Sequence, residues 1–253
     1  MQYTFTEKEE DFRSELLEFL DKELPEDWNS LSPESHFSKE NLPFTKSMAK
    51  KLAEKGWLTM AWPEEYGGQG RSIMEQLIYR EEMTYQDVPG TDLGTGAISW
   101  VGPTLMIAGT HEQRKEHLPP IGNGDAYWCT LYSEPGSGSD LASLQTQAQK
   151  DGDDYIINGS KIFITNGYLC DMAVVAVRTG PADLGAQSVS LMIIEADREG
   201  FSKGKPLKKV GMRGQDTCEL FFDNVKVPKE NLLGAEGMGF IALMKELAWE
   251  RMM

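Results

Sequence analysis

The spacing of apolar residues changes twice along this chain, and the two changes divide it into three stretches. Over roughly the first 120 residues, apolar side chains recur every three or four positions, the period of a helix with one buried face. Phe12, Leu16 and Leu20 follow this rule, as do Phe44, Met48 and Leu52. Thr6 with Glu9, and Ser72 with Glu75, have the capping-box spacing that starts a helix. Gly56 is placed to stop the second helix. The segment Trp57 to Gly70 reads as a loop from its glycines and proline, and the third helix after it carries Met74, Leu77 and Ile78. The apolar segment Gly94 to Gly109 is predicted to be buried and broken at Gly102-Pro103. Thr110 and Gln113 are predicted to cap a short basic turn ending at Pro119-Pro120.

Past the segment IGNGDA the period becomes that of strands. YWCTLY reads as a strand, SLQTQAQK alternates, and DGDD (Asp151 to Asp154) forms a hairpin turn. YIINGSKIFIT is predicted to hold two strands around Asn158-Gly159, because Asn-Gly between alternating runs is a strong hairpin signal. MAVVAVRT, SVSLMIIEAD and CELFFDNVKVP continue the series, which indicates an antiparallel barrel or sandwich. The helical period returns with Phe240, Met244 and Leu247. The fold class expected is therefore α+β and multidomain. It has an N-terminal α-helical domain (1–124), a middle antiparallel β-barrel domain (125–234) and the first helix of a C-terminal helical domain (235–253), broken off in mid-pattern at Met253.

Charge and cysteines narrow the function. A formal net charge of −15 argues against nucleic acid as a partner. Three scattered cysteines, Cys129, Cys170 and Cys218, fit reduced thiols rather than a disulfide framework. No signal peptide and no membrane-length apolar run is visible, so a cytoplasmic location is expected. His36, His111 and His117 lack metal-ligand spacing and read as surface residues, with no metal site expected. Met74, Met83 and Met106 read as core filler in preference to a channel lining. The basic tract Lys203 to Lys209 reads equally as an exposed loop and as a contact for phosphates.

The segment TLYSEPGSGSDL, Thr130 to Leu141, is richer in small and polar residues than a turn needs. A dinucleotide-binding G-x-G-x-x-G loop is excluded, because it would require glycine at Leu141. Read alone, the segment also suits a Ser/Gly-rich β-turn. With WPEEYGG (Trp62 to Gly68), INGSKIFITNG (Ile157 to Gly167) and VGMRGQDTCELFFDNVKVPKENLLG (Val210 to Gly234), it resembles the acyl-CoA dehydrogenase family, the long-chain members most of all. The resemblance spans the whole chain in the family's order.

This resemblance implies FAD as cofactor and α,β-dehydrogenation of acyl-CoA to a trans-2-enoyl-CoA. It puts Thr130, Leu131, Tyr132 and Ser133 along the flavin, with Ser133 on the isoalloxazine edge and backbone N–H groups near Leu131 reaching the ring's polar atoms. Ser139 falls at the passage between flavin and acyl-CoA. Phe163, Ile164 and Thr165 stand where many relatives carry Trp-Ile-Thr against the flavin, so Phe163 keeps an aromatic wall without an indole N–H. Glu250-Arg251 matches the Glu-Arg pair that supplies the α-proton base in the long-chain and isovaleryl groups. Glu250 is then the base, and Arg251 orders its surroundings or touches substrate. An electron-transfer flavoprotein as acceptor and a homodimer or homotetramer are implied as partners. An acyl-CoA oxidase or flavin monooxygenase on this fold, or a non-catalytic remnant that binds a thioester or a partner, stays open at this point. Arg213 and Asp216 receive no role from the sequence.

Overall fold

The computed structural model describes residues 4–28, 41–89, 96–211 and 215–250, with the backbone alone for 248–250. Helix α1 (Glu7–Glu23) starts at the expected box: Thr6 accepts from the Glu9 N–H at 3.4 Å, and the Glu9 carboxylate accepts from the Thr6 N–H at 2.7 Å. Helix α2 (Leu42–Glu54) ends where predicted, with Gly56 at φ 69°. Helix α3 (Ile73–Tyr85) starts at the Ser72–Glu75 box. Phe12, Leu16, Leu20, Met48, Leu52, Trp57, Ile78 and Met83 form one apolar core. Met74 and Leu77 do not join it. They are 40% and 50% exposed, because α3 turns only its Ile78–Tyr79–Met83 stripe inward.

The segment before Gly102 is a π-helical turn, Gly96–Val101, that gives way to helix α4 (Gly102–Ala108) at Gly102-Pro103, as expected of that dipeptide. The prediction of a short basic turn after Thr110 is corrected. Residues His111–Gly122 form helix α5, with Pro119 and Pro120 inside its last turn. The two missing N–H groups leave carbonyls at the exposed Lys115 and Glu116, where water can reach them.

Among the described residues eight strands follow: β1 (Trp128–Leu131), β2 (Gln147–Asp151), β3 (Asp154–Thr165), β4 (Met172–Arg178), β5 (Val189–Glu195), β6 (Phe201–Lys203), β7 (Thr217–Pro228) and β8 (Leu232–Leu233). The sheet order is β6-β7-β3-β2-β4-β5-β8, with β1 on β4. Most ladders are antiparallel, but β1–β4 and the single-pair β2–β4 contact are parallel, so the expected all-antiparallel barrel is a mixed sheet. No tight turn joins those strands, so no hairpin signal in the sequence reported their direction. Cys129, Leu131, Ile157, Val175, Met192, Leu220 and Val225 meet in one interior, as they do in a barrel. The opposite face of β4 and β5 packs against the helices through Val174, Ala176, Leu191 and Ile193, with helix α6 (Gly239–Glu250) covering part of it. The three cysteines are free and buried in the strand region.

The two strands predicted around Asn158-Gly159 are one, β3. Asn158-Gly159 is a register shift on the ladder to β7, not a hairpin. Gly159 sits at φ 148°, and a Cβ there would lie 2.7 Å from the Thr146 Cα, so the dipeptide serves a close approach between β2 and β3.

Candidate flavin-edge site

Strand β1 ends at Leu131, whose side chain fills the barrel interior, and the chain leaves the sheet at Tyr132-Ser133. Pro135-Gly136 then turn it back: the Glu134 N–H donates to Ser137 O at 2.7 Å, and the Ser137 N–H donates to Glu134 O at 3.1 Å. The hydroxyls of Ser137 and Ser143 both donate to Asp140 O, at 2.7 and 2.8 Å, which rounds off the far end of the loop. Ser139 lies exposed on that end. Arg178, 5% exposed, anchors the return with two bonds to its main-chain carbonyls, Leu144 O (2.9 Å) and Ala142 O (2.7 Å), and is itself held by Gly185 O (3.3 Å) of the β4–β5 connection.

A buried ion pair lies under this loop. Lys161 is fully buried and donates to the Glu134 carboxylate at 2.8 Å and to Tyr132 O at 3.1 Å. The same carboxylate accepts from the N–H groups of Gln145 (2.5 Å) and Thr146 (2.9 Å). Burial alone would raise the Glu134 carboxyl. The Lys161 charge and those donors outweigh it and hold the group below its ordinary value. Burial pushes Lys161 down to about 8 against the opposing pull of Glu134. Sequence reasoning missed this pair. The signal was present: Lys161 stands on the inward parity of β3 with Tyr155 and Ile157, where an apolar residue belongs.

Beside the loop, the Ile162 N–H donates to Ser133 O at 3.0 Å, which fastens β3 to the end of β1. The β3–β7 register then shifts between Lys161 and Ile164. Phe163 takes up the slack at φ 60°, a conformation uncommon for a bulky side chain. The result is an aromatic ring 66% exposed between the buried Lys161 and Ile164. Bulges of this kind re-aim side chains. Thr165 follows, half-buried. Past it, the Asn166 N–H donates to Asp216 O at 3.1 Å and the Tyr168 N–H to the Asp216 carboxylate at 2.6 Å, so Asp216 clamps this bend. Burial raises the Asp216 carboxyl against those donors. Arg213 lies outside the described residues.

The Ile162–Ser133 and Lys161–Tyr132 bonds thus bring the end of β1, Thr130 to Ser133, up to the stretch of β3 that leads into Phe163, Ile164 and Thr165. Ile164 faces the barrel interior, so only its backbone can line a surface site. The hydroxyls of Thr130, Ser133 and Thr165 and the Ser133 N–H have no hydrogen-bond partner among the described residues. Free donors beside an exposed aromatic wall match the chemistry of a flat heteroaromatic ring with carbonyl and imine acceptors, and a flavin is such a ring. Glu250 ends α6 with its side chain outside the described atoms, and Arg251 lies outside the described residues, so neither is placed against this site. Glu246, one turn before Glu250, is buried.

The histidine reading needs one correction. His117 is half-buried on α5, its ring 5.1 Å from that of Trp128, and burial lowers its proton affinity. His111 is exposed, and His36 lies outside the described residues. Met83 is core and Met106 is partly buried against the helix–sheet core. Among the described residues there is no metal-binding cluster and no helix long and apolar enough to cross a membrane.

Two family models match: the acyl-CoA dehydrogenase N-terminal domain over residues 6–125 and the acyl-CoA dehydrogenase middle domain over residues 129–225. The chain belongs to the acyl-CoA dehydrogenase family. It is 37% identical to acyl-CoA dehydrogenase FadE26 of Mycobacterium tuberculosis, over 99% of this chain and 62% of that protein. It is 35% identical to the long-chain specific acyl-CoA dehydrogenase of Rattus norvegicus mitochondria, over 98% of this chain and 56% of the relative. A crystal structure of an acyl-CoA dehydrogenase from Geobacillus kaustophilus superposes with a TM-score of 0.85 at 38% identity, covering 99% of this chain and 64% of that one. The chain therefore spans less than two thirds of the relatives it matches.

Proposed function

We propose that this chain carries the flavin-edge half of a FAD-dependent acyl-CoA dehydrogenase that converts acyl-CoA to trans-2-enoyl-CoA. The observation that carries the reading is the row of free donors, Thr130, Ser133 and Thr165, beside the bulge-presented Phe163. In this reading Thr130 to Ser133 and Phe163 to Thr165 hold the cofactor, Ile164 through its backbone, and Ser139 contacts the substrate passage. The flavin, when bound, supplies the acceptor for the β-hydride. Glu250 removes the α-proton and Arg251 orders its surroundings. A carboxylate can do this only where water is excluded and the enolate-like charge is stabilised by hydrogen bonds. Domain boundaries near 124 and 234, a cytoplasmic location, an electron-transfer flavoprotein as electron acceptor and a dimeric or tetrameric assembly complete the proposal.

The test is the visible spectrum of the chain purified with FAD, before and after anaerobic palmitoyl-CoA. A bound-flavin spectrum that bleaches supports the reading, and Glu250→Gln then abolishes the bleaching. Absence of bound flavin overturns it for this chain.

A further inference from the structure

The buried ion pair does more than hold the loop. Lys161 donates to Tyr132 O, and the N–H on the other side of that same peptide unit belongs to Ser133. A cation bonded to a peptide oxygen withdraws electron density from the whole amide, so its N–H becomes a stronger donor. That N–H is free among the described residues and lies on the proposed flavin edge. The Lys161 side chain is fully buried and its nearest anion, Glu134, is 5% exposed, so water screens the field little. Glu134 is also tied to Gln145 and Thr146, which keeps the ammonium from swinging away from Tyr132.

We propose that Lys161 is a positioning residue that polarises the Tyr132–Ser133 peptide, making the Ser133 N–H a strengthened donor that favours the electron-rich, reduced form of a bound flavin. Glu134 sets how much of the Lys161 charge reaches the peptide, so the pair tunes the cofactor from beneath without touching it. This rests on the flavin reading above, but the polarisation itself is a property of the chain.

Two variants with opposite expected signs test it. Lys161→Gln/Glu134→Gln keeps a donor–acceptor pair of similar shape and removes both charges, whereas Glu134→Gln alone leaves the cation uncompensated. The first readout is the Ser133 amide-proton resonance of the cofactor-free chain, which a merely structural role does not order by charge. It is expected to move upfield in the neutral double variant and downfield in Glu134→Gln, both read at a pH low enough for Lys161 to keep its proton without the support of Glu134. The second is the two-electron potential of bound FAD. The double variant is expected to lose about tenfold in preference for reduced over oxidised flavin, which is a potential lower by about 30 mV. An unmoved Ser133 resonance in both variants, or a shift of the same sign in both, overturns the proposal, as does an unchanged potential. If no FAD binds to the parent chain, the flavin reading fails, while the amide shifts still decide the polarisation.

Discussion

Two loops of this molecule are held by different physics. The loop between Trp57 and Ser72 is held mainly by neutral groups: the Trp62 indole donates to Ile98 O at 2.9 Å, the Thr59 hydroxyl to Gly67 O at 3.1 Å, and the Gly70 N–H to Trp62 O at 2.9 Å. The loop from Tyr132 to Thr146 is held by a buried cation and anion. Neutral bonds each contribute modestly and fail one at a time. A buried ion pair fails as a unit, because removing one partner strands the other. The second kind of anchor also projects a field, and it lies under the part of the chain proposed to meet a redox cofactor.

The largest expected effect follows from that contrast. Lys161→Met should cost about 3–5 kcal/mol of stability, as for an uncompensated buried carboxylate. Trp62→Phe, which removes one neutral N–H from the other loop, should cost about 0.5–1.5 kcal/mol. Urea titrations of the two variants check this, and equal losses would erase the distinction.

Gly159→Ala should cost about 1–3 kcal/mol, because the new methyl meets the Thr146 backbone. It tests whether the charged loop also depends on the close approach of β2 to β3. Ser72→Ala should cost about 1 kcal/mol through loss of the α3 cap. Thermal melts rank the pair, and a silent Gly159→Ala would show that β2 and β3 can part freely.

The ion pair also predicts a pH dependence. Between the folded value near 8 and the ordinary lysine value of 10.5, the unfolded chain binds more protons at Lys161 than the folded one. Stability assigned to this site therefore rises with pH across that window. Relative to Lys161→Gln/Glu134→Gln, the parent chain should gain stability from pH 8 to pH 10. A constant gap contradicts the burial of the charge. Smallest of all, breaking the surface pair Lys229–Asp153 should leave the melting temperature unchanged.

The same contrast explains what the sequence disclosed. Helix starts were legible because a cap is a local event: Thr6–Glu9 and Ser72–Glu75 name their own partners three residues away. Strand positions were legible from alternation, but pairing was not. The parallel β1–β4 ladder, and the use of Asn158-Gly159 as a close approach instead of a turn, depend on chain segments far apart in sequence. Pro119-Pro120 suggested an ending although the helix absorbs both in its last turn. At the site, TLYSEPGSGSDL and FIT were visible as unusual local composition. Lys161 was visible only as a lysine on the inward parity of β3; its part in the site comes from Glu134, 27 residues away. Asp216 and Arg178 likewise act through main-chain groups that sequence cannot bring together.

The free donors and the bulged aromatic are proposed to form a flavin edge, and FAD binding depends on both. The most direct measurement is an FAD titration, read by flavin fluorescence, of the parent chain, Phe163→Ala and Thr165→Val. Binding by the parent, weakened about tenfold in each variant as one lost packing or hydrogen-bond contact near 1.4 kcal/mol would do, is the predicted result. Equal affinity in all three chains, or no binding by the parent, would contradict it.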